Sequence, residues 1–194
     1  MEKKEKIVIY VLFSIFILLL LLLGTWEIIE KFTQKTNVYI FLVKQEKDKT
    51  IVKPVIRKIK YYRGIENKIE NTMRELIKGP TEEEKKNGFS TSLNENTRIL
   101  DLKIEGDTLN LNFSKEVEEG GGTLLMETRI AQIVYTGTQF PEIEKIRFLI
   151  EGNTIKYFSG EGITIVEKPV SRDDLKEFEI EIIEEGKNEK RNSS

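Results

Sequence analysis

The sequence has 194 residues, room for one ordinary domain beside an apolar leader and tails. Its 31 basic residues nearly cancel 33 acidic ones, so a net charge of -2 gives no general drive toward nucleic acid. With no cysteine and no histidine, the sequence excludes disulfides, thiolate nucleophiles, Cys/His zinc sites, imidazole-dependent triads and a lipid-bearing cysteine.

Residues 7–24 carry no charge and are apolar apart from Ser14. Their length is at the short end of the roughly 17–25 residues that cross a bilayer as a helix. Trp26 extends the run and stands where an interfacial aromatic belongs. The pattern predicts one transmembrane helix over residues 7–26. Lys3, Lys4 and Lys6 precede it and place residues 1–6 in the cytoplasm, although Glu2 and Glu5 share that flank and Lys31 and Lys35 follow the span. The expected location is a single-pass cell-membrane protein with its domain outside. A cleaved signal peptide is the alternative, but leucines run up to Gly24 with no A-x-A pattern.

Residues 27–36 form a juxtamembrane link. Residues 37–44 are rich in β formers and predict a first strand. A charged turn over 45–50 leads to a second strand over 51–62, where Pro54 implies an edge or a break. Ile65, Ile69, Met73, Leu76 and Ile77 recur at helical spacing. Lys78, Gly79 and Pro80 stop that helix. Thr81 and Glu84 have capping-box spacing and predict a second, short helix ending near Gly88.

Residues 98–114 predict a β-hairpin, with Leu100, Leu102 and Ile104 on one arm and Leu109, Leu111 and Phe113 on the other. Gly120, Gly121 and Gly122 lead into a main helix from about Thr123, with Met126, Ile130, Ile133, Val134 and Gly137 inward. A second hairpin is expected over residues 143–158. The strings Ile-Glu-Gly-Asp-Thr and Ile-Glu-Gly-Asn-Thr recur in the two hairpins, through duplication or a shared turn requirement. A short strand is expected within residues 160–169. Residues 175–194 read as a charged tail, partly disordered, in which Phe178 and Ile182 suit a strand or a helix. The expected fold class is α+β: a small sheet of hairpins with two main helices packed on one face, preceded by one transmembrane helix.

Several residue groups carry a chemical reading. The glycine run could cradle phosphate at a helix N-terminus, but it lacks the Lys-Ser/Thr of a P-loop and Glu116, Glu118 and Glu119 crowd it. A loop allowing close packing is the other reading. Acidic runs such as Glu82 to Glu84 read as solvated faces rather than a glycosidase pair. Lys53, Arg57, Lys58, Lys60 and Arg63 suit anionic lipid or wall polymer, or protect a strand edge. Tyr61 and Tyr62 could stack on a sugar ring or pack at a rim. Thr136, Thr138 and Gln139, at the corner closed by Phe140 and Pro141, could bind a ligand or satisfy backbone groups freed at the helix end. These five residues, Tyr61, Tyr62, Thr136, Thr138 and Gln139, are the candidate ligand or contact residues. No catalytic residue, cofactor or metal ligand is expected.

The ordered set of Leu76-Ile77-Lys78-Gly79-Pro80, residues 87–116, the glycine run, residues 131–152 and residues 167–174 resembles the GerMN domain family of spore germination and sporulation proteins. The resemblance covers about residues 37–174. It implies a small extracytoplasmic α+β domain, tethered by an anchor or lipid, with no known catalytic residues to carry over. Family members occur beside cell-wall amidase modules, and the sporulation member belongs to a channel assembly between mother cell and forespore. This chain departs from the pattern in holding one copy, in Leu93 where a proline is common, and in Gly137 where a bulkier residue is frequent. The resulting expectation is a non-catalytic interaction or assembly module of the cell envelope, in sporulation or germination. Its expected partners are the membrane, a second copy or an envelope protein. The alternative is a module that binds peptidoglycan or another glycan, with cell-wall polymer as partner.

Overall fold

The computed structural model describes residues 11–21, 35–47, 49–60, 63–158 and 162–185. It divides into two units, Met1–Thr36 with Lys60–Tyr62 and Asn37–Ile59 with Arg63–Ser194. In the first unit residues 11–21 form a helix, α1, that is apolar except for Ser14 and exposed throughout. The Ser14 hydroxyl donates back to the Val11 carbonyl at 2.8 Å. Among the described residues no helix is long and apolar enough to cross a membrane. The expected span over residues 7–26 runs outside the described residues at both ends.

The second unit is α+β. In chain order its elements, with Lys35, Thr36 and Lys60 at the strand ends counted to the first unit, are β1 (Lys35–Glu46), β2 (Lys49–Lys60), α2 (Ile65–Ile77), α3 (Glu82–Lys86), β3 (Phe89–Ser90), β4 (Ile99–Glu105), β5 (Thr108–Phe113), α4 (Thr123–Gly137), β6 (Lys145–Ile150), β7 (Asn153–Thr154), β8 (Val170–Ser171) and β9 (Glu181–Ile182). They make two sheets where the sequence suggested one. The first has the order β3-β1-β2-β9, and the second β4-β5-β6-β7 with β8 also on β6.

In the first sheet, Val38, Ile40, Phe41, Leu42 and Val43 of β1 are all buried. A continuous apolar run suits a strand covered on both faces. Only residues 47 and 48 separate β1 from its neighbour β2, too short a link for anything but an antiparallel pair. β9 lies parallel to β2 and pairs only at Ile51 and Val52. The Ile183 N–H donates to the Val52 carbonyl at 2.9 Å. By strand alternation Pro54 turns its missing donor to that same side, just beyond the pairing. The expected edge character of this strand begins there.

In the second sheet, β4 and β5 form the expected hairpin, with Leu102 opposite Leu111 and Ile104 opposite Leu109. The expected alternation fails at Leu100. A bulge between Ile99 and Asp101 puts Ile99 opposite Phe113, buried, and turns Leu100 out, 44% exposed. β5 and β6 are parallel, joined by the α4 crossover. Leu109, Leu111, Phe113, Ile146, Phe148 and Ile150 are buried on one face, where β4 and β6 meet α2 and α4. Both main helices therefore lie on one face of this sheet, as expected. Gly137 makes the contact close: a Cβ there would lie 2.6 Å from Ile146 Cδ1 and 2.8 Å from Met73 Cε.

The second hairpin is shorter than expected, since β7 pairs only at residues 153 and 154. The recurring strings also make different turns. Glu105 pairs with Thr108 around Gly106 and Asp107, but Ile150 pairs with Asn153 around Glu151 and Gly152. Where a strand was expected within residues 160–169, the described part holds an isolated bridge from Ile163 to Phe158 and a 3-10 turn, Thr164–Glu167. Phe158 packs edge-on against Phe148 at 5.9 Å. The C-terminal segment forms a 3-10 turn, Asp173–Leu175, with Leu175 buried, before β9; residues from 186 lie outside the described ones.

Candidate functional site

The polar corner separates into two constructions. The first serves β1. β3 covers the edge of β1 only at Val43 and Lys44. Tyr39 and Phe41 turn their main-chain groups to that same edge, where β3 does not reach. Side chains of α4 and its C-terminal corner take the place of a strand. Gln132, Thr136 and Gln139 are four and three residues apart and share one face. The Phe41 N–H donates to Thr136 Oγ1 at 3.1 Å, and Gln132 Nε2 donates to the Phe41 carbonyl at 2.7 Å. Gln139 accepts from the Tyr39 N–H at 2.7 Å and donates to its carbonyl at 2.6 Å. Gln132 Oε1 also accepts from the Ser92 N–H at 2.9 Å and the Ser92 hydroxyl at 2.6 Å. Thr136 and Gln132 are fully buried. Each buried main-chain group left unpaired would cost about 1–3 kcal/mol, which is why an apolar helix face carries three polar residues.

The second construction ties down the C-terminal segment. Thr138 Oγ1 donates to the Val134 carbonyl at 2.8 Å and accepts from Arg172 Nε at 2.8 Å. Arg172 Nη2 donates to the Tyr135 carbonyl at 3.3 Å, and its guanidinium lies 4.6 Å from the Tyr135 ring centroid. Both Nη atoms reach the Glu185 carboxylate, at 3.1 and 2.7 Å. Arg172 thus binds an end carbonyl of α4 and a carboxylate thirteen residues further along the chain. Of the candidate residues, Thr136 and Gln139 meet β1, Thr138 meets Arg172, and Tyr61 and Tyr62 lie outside the described residues.

The glycine run sits over a buried cation. Gly120 and Gly122 have φ of +100° and +89°. Arg129, 2% exposed, reaches back from α4 to Gly120. Its Nε donates to the Ser92 carbonyl at 2.7 Å, and its Nη1 to the carbonyls of Val117 and Glu119. Burial pulls its pKa down, yet a guanidinium stays protonated in proteins. A Cβ on Gly120 would stand 3.4 Å from Arg129 Nη2. Gln132 and Arg129 were not singled out by sequence. Their signal is a polar residue on an otherwise apolar helix, each close to Thr136 in the chain.

Arg57 of the basic strand is not a free surface charge. It donates to the Gly79 carbonyl at 3.2 Å and to Glu84 Oε2. Glu84 also closes the capping box predicted with Thr81, accepting from the Thr81 N–H at 2.7 Å. A shallow concavity of about 380 Å³ lies between the end of β1, residues 90–92 and the start of α4, with Gly121, Gly122, Leu124 and Leu125 in its wall. None of its lining residues is titratable, so it offers no acid or base. Among the described residues no group of three or more Asp and Glu side chains is placed to hold a metal ion.

Residues 37–156 match the model of the Germane family, described as sporulation and spore germination. No curated protein sequence matches the chain. Solved structures share the fold, among them the following three. A Clostridium perfringens protein provisionally named a lipoprotein is 22% identical with a TM-score of 0.53, over 75% of this chain and 93% of that one. The tandem GerMN domains of the Bacillus subtilis sporulation protein GerM are 20% identical with a TM-score of 0.59, over 71% of this chain and 46% of that one. The first GerMN domain of the same protein is 23% identical with a TM-score of 0.54, over 72% and 99%. This chain therefore spans about half of the tandem and nearly all of one domain.

Proposed function

The chain belongs to the Germane family, and from that premise we propose that it is a non-catalytic interaction and assembly module of the cell envelope, in sporulation or germination. Residues 7–26 anchor it and hold the domain outside the membrane. A relative is provisionally named a lipoprotein, but with no cysteine in this sequence a thioether lipid has no attachment point here. The apolar run takes that role.

One observation carries the assembly reading. Beyond Val52 the outer edge of β2 pairs with no strand among the described residues. Ile56 is 57% exposed there, next to the exposed Lys58. Open main-chain donors and acceptors beside an exposed apolar side chain suit strand addition. The polar groups of Thr136, Gln139 and Arg129, by contrast, are already engaged within the domain. The test is chemical crosslinking of the chain in its native membrane, paired with sedimentation of the detergent-solubilised chain at rising concentration. Discrete higher species are expected. A strict monomer that crosslinks to no envelope protein would overturn the reading.

A further inference from the structure

We propose that the outer edge of β2 is an acceptor for an acidic strand whose apolar residues alternate, and that the strand it accepts is the C-terminal segment of a second copy of this chain. The proposal rests on reading that edge as the contact surface. β9 is the same segment seated on the same edge in cis, and so shows the chemistry that fits.

The segment from residue 177 to 182 reads Glu-Phe-Glu-Ile-Glu-Ile, a strict two-residue alternation of acid and apolar side chains. That is the pattern of a strand. Yet only Glu181 and Ile182 pair, and residues 177–180 lie in turns and bends. The cis arrangement explains the shortfall. With Ile51 opposite Glu181, the residues before Glu181 fall beside the start of β2 at Lys49, where the edge ends. A chain tethered at β8 cannot pair its whole alternation; a segment arriving from a second copy carries no such tether.

Charge favours the same occupant. The open part of the edge carries Lys58 beside Ile56, and the segment carries Glu177, Glu179 and Glu181 around Phe178 and Ile180. The cis contact already uses this complementarity, since Lys49 Nζ lies 3.4 Å from Glu181 Oε2. That pair is largely exposed, so it holds β9 only lightly. The firmer tie is Arg172 to Glu185, outside the paired residues. Release of the segment therefore breaks the two β9 pairs, the Ile183 bond to Val52 and the ion pairs of Glu181 and Glu185, and leaves the buried Leu175 in place.

The test uses the full chain and a fluorescent peptide with the sequence of residues 177–185. Ile183→Pro removes the donor to Val52 and frees the cis segment. Ile56→Pro removes a donor that alternation points to the open edge, at an exposed position where proline is tolerated. The expected result is peptide binding at least tenfold tighter to Ile183→Pro than to the natural chain. Adding Ile56→Pro should reverse the gain, and raised salt should weaken binding. Glu185→Gln, which loosens the same segment from Arg172, gives the same comparison if Ile183→Pro does not fold. A folded variant that binds the native peptide no better than a scrambled one overturns the proposal. If the natural chain still self-associates in that case, the assembly reading stands with another surface. If it is also a strict monomer without an envelope partner, both fall.

Discussion

Gln139 binds Tyr39 as one peptide unit binds another across a sheet: its amide oxygen accepts the Tyr39 N–H at 2.7 Å and its amide nitrogen donates to the Tyr39 carbonyl at 2.6 Å. The two residues are 100 apart in the chain. One side chain thereby extends the edge of β1 past the end of β3. Thr136 does half of the same task for Phe41, at a fully buried position. Thr136→Val keeps the shape and leaves the Phe41 N–H without an acceptor, which should destabilise by about 1–3 kcal/mol. Gln139 is half-buried, so water can partly replace it, and Gln139→Ala should cost less. Denaturant titration gives the ranking. Hydrogen exchange should show the Phe41 amide speeding up in Thr136→Val and the Tyr39 amide in Gln139→Ala. Unchanged exchange at both would mean that these bonds do not hold β1.

Arg129 gathers three carbonyls from two loops, those of Ser92, Val117 and Glu119. Arg129→Met fills much of the volume but supplies no donor. Three carbonyl groups then lose their partner, and a loss of roughly 3 kcal/mol or more is expected. Arg129→Lys keeps the charge on a point donor that cannot span all three, and should fall between. The measurement is the denaturation midpoint. If Met proves as stable as Arg, the guanidinium is dispensable to the loop.

Gly79 has φ of +72°, and a Cβ there would stand 3.1 Å from Thr91 Cγ2. Its carbonyl also accepts from Arg57 at 3.2 Å, so the turn cannot rotate freely to relieve strain. Gly79→Ala should cost about 1–2 kcal/mol from the left-handed backbone alone. The contact with Thr91 adds to it. Thr91→Ser removes that methyl while keeping the hydroxyl that accepts from the Leu93 N–H. The double variant should therefore be less destabilised by the alanine than the single one is, in a thermodynamic cycle on thermal melts. A cycle with no coupling would mean that the methyl yields at no cost.

Local chemistry was legible in the sequence and long-range pairing was not. The stop at Lys78, Gly79 and Pro80 and the capping box of Thr81 with Glu84 depend on neighbours in the chain, and both stand where expected. So do the inward residues of α4, because helical spacing encodes them. Leu100 was misread because one bulge reverses the side of every residue before it. The parallel pairing of β5 with β6 and the split into two sheets follow from contacts between distant residues, which alternation alone does not specify. At the corner, sequence marked Thr136 and Gln139 as polar residues out of place. It did not show that their partner is a strand edge about 95 to 100 residues earlier, or that Gln132 completes the row.

Asp174 is expected to make the C-terminal segment sensitive to acid. Its Oδ2 accepts from the Ser171 hydroxyl and from the Ser171 N–H, at 2.5 and 2.8 Å. The hydroxyl bond first, then the main-chain bond, with Lys145 nearby adding attraction, holds its pKa below the ordinary aspartate value. A carboxylate with a depressed folded pKa contributes stability above its unfolded pKa, about 3.9 for aspartate, and loses it as pH falls through the folded value. The turn at Asp173–Leu175 and the end of β8 should therefore loosen below about pH 4. After correction for intrinsic rates, amides of residues 171–176 should lose protection over that range in the natural chain. Asp174→Asn does not titrate and accepts a weaker bond, so it should start with less protection and lose less between pH 6 and pH 3. Equal pH dependence in the two chains would assign the acid response to other carboxylates, such as Glu105, Asp107 and Glu116, whose pKa values are also held down.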